Sequence, residues 1–182
     1  MRHAARREFA VRGVGAASID RISETAGFSR GAFYSNYSGK HELLLELLEE
    51  HQTREIAAWQ SLLDAEGSLH DILPILRDRF DAFARDEDGF LFNLELRAEA
   101  IRNPDFSSRY CELFANVCAR TDALAAAFIA RSATDRVSVD LLSLALRSFS
   151  LELAAEARLG LDCSGDSPGA RLVAMIGEIL GL

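Results

Sequence analysis

The sequence predicts an all-α protein, with an N-terminal three-helix domain that contains a helix-turn-helix, followed by a C-terminal helical bundle (about nine helices in total). Apolar residues recur at spacings of three and four along most of the chain, which is the period of a helix with one buried face. No stretch alternates apolar and polar residues as a strand of any length requires. The periodic segments are bounded by residues that commonly cap or end helices, namely Ser, Thr, Asn, Gly and Pro.

The clearest local pattern is a helix-turn-helix over Ser18–Lys40, with the sequence SIDRISETAGFSRGAFYSNYSGK. Ser18 is a suitable N-cap for a first helix, Gly27 lies in the turn, and Ser29 is a suitable N-cap for a second helix. Phe33 and Tyr37 are four residues apart and therefore share the inner face of that second helix. Its other side chains point outward, which predicts a recognition helix that presents polar groups to a partner.

The outward residues of the second helix suit a DNA groove. Arginine is the commonest reader of guanine in the major groove, so Arg30 is the leading candidate for base contact. Gly31 is a poor helix former that lets a backbone approach closely, and Tyr34 lies one turn further on the same side. Ser18 at a helix N-terminus and Lys40 at the start of the next helix are placed to meet phosphates.

The distribution of charge agrees with this interpretation. The chain of 182 residues has a net charge of −8. Residues 1–41 carry seven basic and three acidic side chains, a balance of +4, whereas residues 42–182 carry 13 basic and 25 acidic ones, a balance of −12. A basic segment on an acidic body predicts that only the N-terminal segment approaches a polyanion.

The same division predicts two domains, a helix-turn-helix domain over 1–41 and a helical body over 42–182 that is joined to it through a long helix over 42–66. The body contains more aromatic residues than a plain helical core requires, and these either belong to the core or line a cavity for a small molecule. The candidates for such a cavity, including polar anchors, are Trp59, Phe80, Phe83, Phe92, Asn93, Arg97, Tyr110 and Phe114.

The last two helices, over about 135–160 and 168–181, are expected to form a dimer interface. The penultimate helix is apolar on more than one face, and a helix of that kind must be covered on each apolar face, so a second copy of the chain would supply part of the cover. The candidate interface residues are Leu142, Leu146, Phe149, Leu153, Leu172, Ile176 and Ile179.

The sequence does not predict a metalloprotein, an enzyme or a membrane protein. The four histidines and three cysteines show no metal-ligand spacing, so no metal and no cofactor is expected. The segment GDSPG at 165–169 resembles a serine-protease nucleophile, but no histidine and acid accompany it on a suitable scaffold, so an enzyme is not expected. A charged N-terminus without a signal sequence and the absence of a long apolar run predict a cytoplasmic protein that does not span a membrane.

Residues 5–48 resemble the DNA-binding domain of TetR/AcrR-type transcriptional regulators. The matching elements are an A-x-x-x-F helix followed by glycine, the run S-I-x-x-I-x-x-x-A-G-x-S-x-G-x-x-Y, then Tyr37, Lys40 and a leucine run over 43–48. The resemblance covers about a quarter of the chain. It implies a homodimeric repressor that binds a palindromic operator on double-stranded DNA and is released by a small-molecule effector.

The resemblance also assigns roles to single residues. It implies groove contacts by Arg30, Gly31, Ala32 and Tyr34, and phosphate contacts by Ser18, Tyr34, Asn36 and Lys40; with Ser29 as the cap, these form the predicted DNA-binding set. About ten fewer residues precede Ala5 than the family pattern has, so either the chain starts further upstream or the basic arm is absent. Loss of the arm would remove phosphate or minor-groove contacts and weaken affinity. The alternative hypothesis is therefore a helical dimer that binds a small molecule or a partner and has lost DNA binding.

Overall fold

The computed structural model describes residues 1–64, 67–132, 134, 136–161 and 164–182. Within these ranges the chain forms nine α-helices and no strand, which confirms the predicted all-α fold class. The helices are α1 (Arg2–Ala16), α2 (Ile19–Thr25), α3 (Arg30–Tyr34), α4 (Lys40–Leu63), α5 (Leu69–Arg85), α6 (Glu87–Arg102), α7 (Pro104–Ser132), α8 (Val139–Leu159) and α9 (Pro168–Leu180). The long helix predicted over 42–66 corresponds to α4, while residues 65 and 66 lie outside the described residues.

Side-chain caps and left-handed glycines set several helix ends. The hydroxyl oxygens of Ser138 and Ser167 accept backbone N–H groups at the starts of α8 and α9. Gly160 ends α8 with φ 68°, a left-handed conformation that costs glycine little. These are the local signals that sequence reasoning uses, and they account for the agreement between predicted and observed helices.

The first helix contains a backbone break at Gly13. Helix α1 spans residues 2–16, but Gly13 has φ 77° and ψ 157°. The helical conformation is therefore interrupted at Gly13 and resumes for one short turn. A non-glycine residue would be strained at this φ. The segment 13–17, which we call the corner segment, then leads directly into α2.

The chain divides into two compact units. Unit 1 comprises residues 1–54 and 87–114, so it contains the helix-turn-helix together with α6. Its core joins the inner faces of α1 to α4 with apolar side chains of α6, and its fully buried members include Phe9, Phe33, Leu43 and Phe92. The compact units are defined by packing, and they group α6 with the first helices. They therefore do not test the boundary at residue 41, which was predicted between two functions and stays a prediction.

Unit 2 comprises residues 55–86 and 115–182 and has a separate apolar core built on α5, α8 and α9. The start of α9 is held by Asp81 of α5, whose two carboxylate oxygens accept the Ser167 hydroxyl at 2.8 Å and the Gly169 N–H at 2.7 Å. The helices approach so closely that a Cβ on Gly169 would lie 2.1 Å from the Arg77 carbonyl oxygen. Only glycine fits at this crossing.

One helix among the described residues, α7, includes an 18-residue stretch with a mean hydropathy of 1.4. By length and composition alone this stretch is sufficient to cross a membrane, a criterion that core helices of soluble proteins also meet. The expectation that the protein does not span a membrane therefore stays a prediction.

The close crossing of α5 and α9 generates a stability prediction. Gly169→Ala is expected to lower the free energy of unfolding by about 1–3 kcal/mol, because the added methyl group forces the two helices apart. Urea unfolding followed by circular dichroism measures the effect.

The matched control is Gly177→Ala in the same helix, where a Cβ meets no atom within 4 Å. Alanine there is expected to leave stability unchanged or raise it by up to about 1 kcal/mol. Equal unfolding midpoints for Gly169→Ala and the unmodified protein would contradict the proposed close packing.

Candidate nucleic-acid interface

The turn and the second helix of the helix-turn-helix form as the sequence predicts. Gly27 has φ 73°, and the Phe28 N–H donates to the Ser23 carbonyl across the turn at 2.9 Å. The Ser29 hydroxyl oxygen accepts the Ala32 N–H at 3.1 Å and caps α3. Phe33 is fully buried in the core of unit 1, so the opposite side of α3 faces outward.

We call the outward side of α3, formed by Arg30, Gly31, Ala32 and Tyr34, the outer face. Arg30 and Tyr34 are exposed, and the Arg30 guanidinium carbon lies 5.6 Å from the centroid of the Tyr34 ring. Arg30 also pairs with Asp20 of α2 at 3.2 Å. A hydrogen bond with Tyr34, followed by the charge of Asp20, raises the pKa of Arg30 above its usual value, so the guanidinium stays charged.

The space around Gly31 would accept a larger side chain without a clash with the rest of the protein that the structure describes. A Cβ built on it would meet only the Ser29 hydroxyl oxygen, at 3.7 Å, which is an ordinary contact. Its backbone lies within α3, where alanine would be favoured over glycine by about 1 kcal/mol. No contact within the described chain therefore explains the glycine at this position.

The remaining predicted phosphate contacts flank the outer face. Asn36 is exposed and donates its side-chain amide to the Ala32 carbonyl at 2.8 Å, which leaves its second amide hydrogen available. Ser18 precedes α2 in extended conformation, and its N–H donates to the Glu8 carboxylate at 3.3 Å rather than pointing freely outward.

Glu8 connects α1 to α2. It accepts from Arg21 at 2.8 Å and lies 3.3 Å from Arg12. Burial by itself raises the pKa of Glu8, but the hydrogen bonds from Arg21 and from the Ser18 N–H outweigh burial and hold the pKa below its usual value of 4.5. The carboxylate therefore stays ionised and keeps both partners.

Lys40 is placed differently from the prediction of a phosphate contact. Its Nζ donates to three backbone carbonyl oxygens of the corner segment: Val14 at 2.9 Å, Gly15 at 3.1 Å and Ala17 at 3.0 Å. An ammonium group has three donors, so these contacts use all of them. The structure thus gives Lys40 a role inside unit 1.

The predicted ligand residues fall into the two units and are described separately. In unit 1, Asn93 donates to the His51 ring at 3.3 Å, and the Arg97 guanidinium lies 5.6 Å from the Phe114 ring centroid. Tyr110 stacks on Phe114 with a centroid separation of 5.6 Å. Within the described residues, Asn93 Oδ1 and Arg97 Nε are buried without a hydrogen-bond partner. Phe92, by contrast, is a fully buried core residue.

In unit 2, the Trp59 and Phe80 rings lie 6.0 Å apart, and Phe83 is half-buried. The Arg79 guanidinium lies 4.8 Å from the Trp59 ring centroid. Burial lowers the pKa of Arg79, against the opposing effect of the Glu55 charge. Trp59 and Phe80 belong to the apolar core of unit 2.

The predicted dimer interface requires a correction. Five of its seven residues are buried in the core of a single chain and are not available as an interface surface, whereas the other two pack against that core and stay partly exposed. These are Leu142, Leu146, Leu153, Leu172 and Ile176, with Phe149 and Ile179 beside them. They form the continuous apolar stripes of α8 and α9, and a stripe of this kind normally packs into the core of its own chain, here the core of unit 2. The exposed apolar residues of α8 are Leu141, Leu144 and Leu159.

Sequence reasoning missed the contacts of Asp20 and Glu8, which join neighbouring helices, and that of Glu95, which joins groups 81 residues apart. Glu95 of α6 accepts the Val14 N–H at 2.7 Å. A single carboxylate that meets a distant backbone group produces no periodic pattern, so neither spacing nor composition indicates it. Among the described residues, no group of three or more His, Cys, Asp or Glu side chains could hold a metal ion.

Comparisons with known proteins agree with this geometry. The sequence profile of the bacterial regulatory proteins of the tetR family matches residues 2–47. The HTH-type transcriptional repressor Rv1474c of Mycobacterium tuberculosis is 32% identical over 173 residues, which cover 94% of this chain and 84% of the relative.

Solved structures share the fold at lower identity. A putative transcriptional regulator from Saccharomonospora viridis in complex with choline has a TM-score of 0.77 and 16% identity, with 99% of this chain and 93% of that chain covered. The transcriptional regulator FadR from Bacillus subtilis in complex with stearoyl-CoA has a TM-score of 0.74 and 18% identity, with 100% and 94% covered.

At these identities the solved structures show the fold alone. The profile match over the helix-turn-helix and the similarity to Rv1474c over most of both chains show the family, and they confirm the resemblance drawn from the sequence. The chain belongs to the tetR family of bacterial regulatory proteins.

Proposed function

We propose that this protein is a ligand-responsive transcriptional regulator that binds operator DNA as a homodimer and represses transcription. The observation that carries the proposal is the outer face of α3, an exposed and charged surface on a helix whose opposite side is buried in unit 1. Repression is proposed from the name of the relative Rv1474c. Binding of a small molecule is proposed because two solved structures with this fold are named as complexes with small molecules.

The outer face has the chemistry of base recognition. The Arg30 guanidinium is charged and exposed, and its contacts with Asp20 and Tyr34 restrict its direction, so less freedom is lost when it meets a guanine edge. No contact within the described residues requires glycine at position 31, but a glycine there allows the α3 backbone to approach a DNA strand closely. Ala32 adds a small apolar surface beside it, and Ser29 and Asn36 keep polar hydrogens for phosphate oxygens.

The exposed apolar face of α8 is the proposed contact between two copies. Leu141, Leu144 and Leu159 are between 55% and 71% exposed, and Leu151 is half-buried on the same side of the helix. An exposed apolar surface of this kind is unfavourable in water and is commonly covered by a partner. Two copies would place two α3 helices in successive major grooves about 34 Å apart, which requires a palindromic operator.

We place the effector site in unit 1, beside Asn93 and Arg97. The buried Asn93 Oδ1 needs a donor and the buried Arg97 Nε needs an acceptor, so a ligand that carries both kinds of group would satisfy both atoms. The stacked rings of Tyr110 and Phe114 supply an apolar surface next to Arg97. The choline and stearoyl-CoA of the two structural neighbours differ too much in size to identify this ligand.

DNA binding is tested by selecting fragments from the source genome and titrating the bound fragment by fluorescence anisotropy. Arg30→Ala is expected to weaken operator affinity by about 1–3 kcal/mol and to relax specificity at one base pair, because a base contact is lost. Gly31→Ala is expected to weaken binding while raising the free energy of unfolding by about 0.5–1 kcal/mol.

Gly31→Ala is the sharper variant, because loss of affinity without loss of stability separates a DNA contact from a folding defect. Full affinity in both variants would contradict the assignment of the outer face to DNA. If no genomic fragment binds the unmodified protein at low salt, the alternative of a helical binding protein without DNA affinity replaces the regulator.

Dimerisation is tested by light scattering coupled to size-exclusion chromatography. The unmodified protein is expected to have twice the mass of the chain, and Leu144→Glu is expected to shift it to the monomer, because a charge would be buried in the interface. Ile101→Glu on α6 is the control, since Ile101 is 86% exposed and lies outside α8. A monomeric unmodified protein at micromolar concentration would contradict the proposed dimer.

The effector site is tested with a library of polar metabolites, in which active compounds raise the melting temperature and release operator DNA. Arg97→Leu and Asn93→Leu are each expected to abolish the response to such a compound, because each removes one polar partner. Urea unfolding of the free variants controls for folding. A response that persists in both variants would place the effector elsewhere.

A further inference from the structure

The corner segment, residues 13–17, is where α1 gives way to α2. The break at Gly13 interrupts the helical hydrogen bonding, and the last carbonyl groups of α1 lack partners within the helix. Within the segment the Ala17 N–H returns to the Gly13 carbonyl at 3.0 Å. Four further polar groups of the segment, one N–H and three carbonyls, are met by two charged side chains from α4 and α6.

Lys40 of α4 satisfies the carbonyl side. Its ammonium donates to the Val14, Gly15 and Ala17 oxygens at 2.9, 3.1 and 3.0 Å. A positive charge at the C-terminal end of a helix is favourable because the helix dipole is negative there. A contact with a DNA phosphate would require Lys40 to give up one of these three bonds.

Glu95 of α6 satisfies the N–H side. Its Oε1 accepts the Val14 N–H at 2.7 Å, a short hydrogen bond of the charge-assisted kind. The carboxylate approaches so closely that a Cβ on Gly13 would lie 3.0 Å from the same oxygen. Glycine is thus required at position 13 by its φ of 77°, and a Cβ there would also crowd the Glu95 carboxylate.

Val14 is therefore held at three points. Glu95 binds its N–H, Lys40 binds its carbonyl, and its side chain is 1% exposed in the core of unit 1. Only one residue, Ser18, separates the corner segment from α2, and α2 packs directly against α3. The orientation of the corner segment therefore sets the position from which α3 presents its outer face.

We infer that Lys40 and Glu95 are positioning residues for DNA recognition, which hold the corner segment from its carbonyl side and its N–H side and so orient α2 and α3. Lys40 contributes to affinity through the corner segment and not through a phosphate contact. The inference rests on the proposed function, since it assigns residues that act on the same outer face. Glu95 lies on α6 between Asn93 and Arg97, the two polar residues of the proposed effector site.

The salt dependence of operator binding separates the two roles of Lys40. A side chain that neutralises a phosphate contributes close to one unit to the slope of log affinity against log salt, whereas a positioning residue contributes nothing to the slope. Lys40→Gln is expected to lower affinity about tenfold at every salt concentration, the equivalent of one charge-assisted hydrogen bond, with the slope unchanged.

Arg54→Gln is the matched control, because it removes the same charge from an exposed position on α4 within unit 1. It is expected to change neither affinity nor slope. A slope reduced by about one unit in Lys40→Gln would show a phosphate contact and overturn the inference. Unchanged affinity in Lys40→Gln would overturn it as well.

Glu95 is tested without DNA, by the exchange rate of the Val14 amide hydrogen in NMR spectra. Glu95→Ala is expected to accelerate this exchange at least tenfold, because the acceptor is lost, whereas Glu95→Gln retains an oxygen acceptor and most of the protection. The Gly169 amide, which is bonded to Asp81 in unit 2, belongs to a different unit from Glu95 and serves as the internal control; it is expected to exchange at the same rate in all variants.

Operator affinity of the same variants completes the test. Glu95→Ala is expected to weaken binding about tenfold and Glu95→Gln to restore most of it. Equal Val14 exchange in Glu95→Ala and the unmodified protein would overturn the inference while operator binding stands. Failure of the unmodified protein to bind any fragment would instead overturn the proposed function, and the exchange rates would then still decide whether Glu95 holds the corner segment.

Discussion

The helix-turn-helix depends on the burial of its short helices against the core of unit 1. α3 has five residues and α2 has seven, and helices of this length are not stable alone in water. Phe33 is fully buried and contacts the Tyr37 ring at a centroid distance of 5.4 Å, while Ile22 is buried from the side of α2. The outward direction of Arg30 follows from the inward direction of Phe33, so the outer face exists because the inner face is packed.

That core is completed by a helix from much later in the chain. α6 supplies Phe92 and Leu96 to the same cluster as Phe9 and Leu43, and it packs directly on α1. The helix that contributes to this core also carries Glu95, Asn93 and Arg97. Unit 1 therefore brings the outer face of α3, the corner segment and the proposed effector residues into a single packed structure. A change in the position of α6 within unit 1 would act on α1 through both apolar packing and the Val14 hydrogen bond.

Most of the helical architecture was predictable from residue patterns. The caps Ser29 and Ser167, the left-handed glycines Gly27 and Gly160, and the three- and four-residue apolar spacing act locally, so they are visible in the sequence. The outer face of α3 was also predictable, since Phe33 marks the inner side of the helix; Tyr37, predicted on the same helix, lies beyond its end and contacts the Phe33 ring. The sequence predicted a set of candidate ligand residues but not their arrangement, because the positions of aromatic residues on different helices do not indicate which side chains are in contact.

The sequence by itself determined the fold class, the helix-turn-helix and the family, because all three rest on local signals of capping, period and motif. The tertiary structure decided three further points. It placed Leu142, Leu146 and Leu153 in the core and left Leu141, Leu144 and Leu159 exposed, because only one face of this apolar helix meets the rest of unit 2. It directed Lys40 to the carbonyls of the corner segment and brought Glu95 to the Val14 N–H. These contacts join groups 26 and 81 residues apart, and only packing in three dimensions brings such groups together.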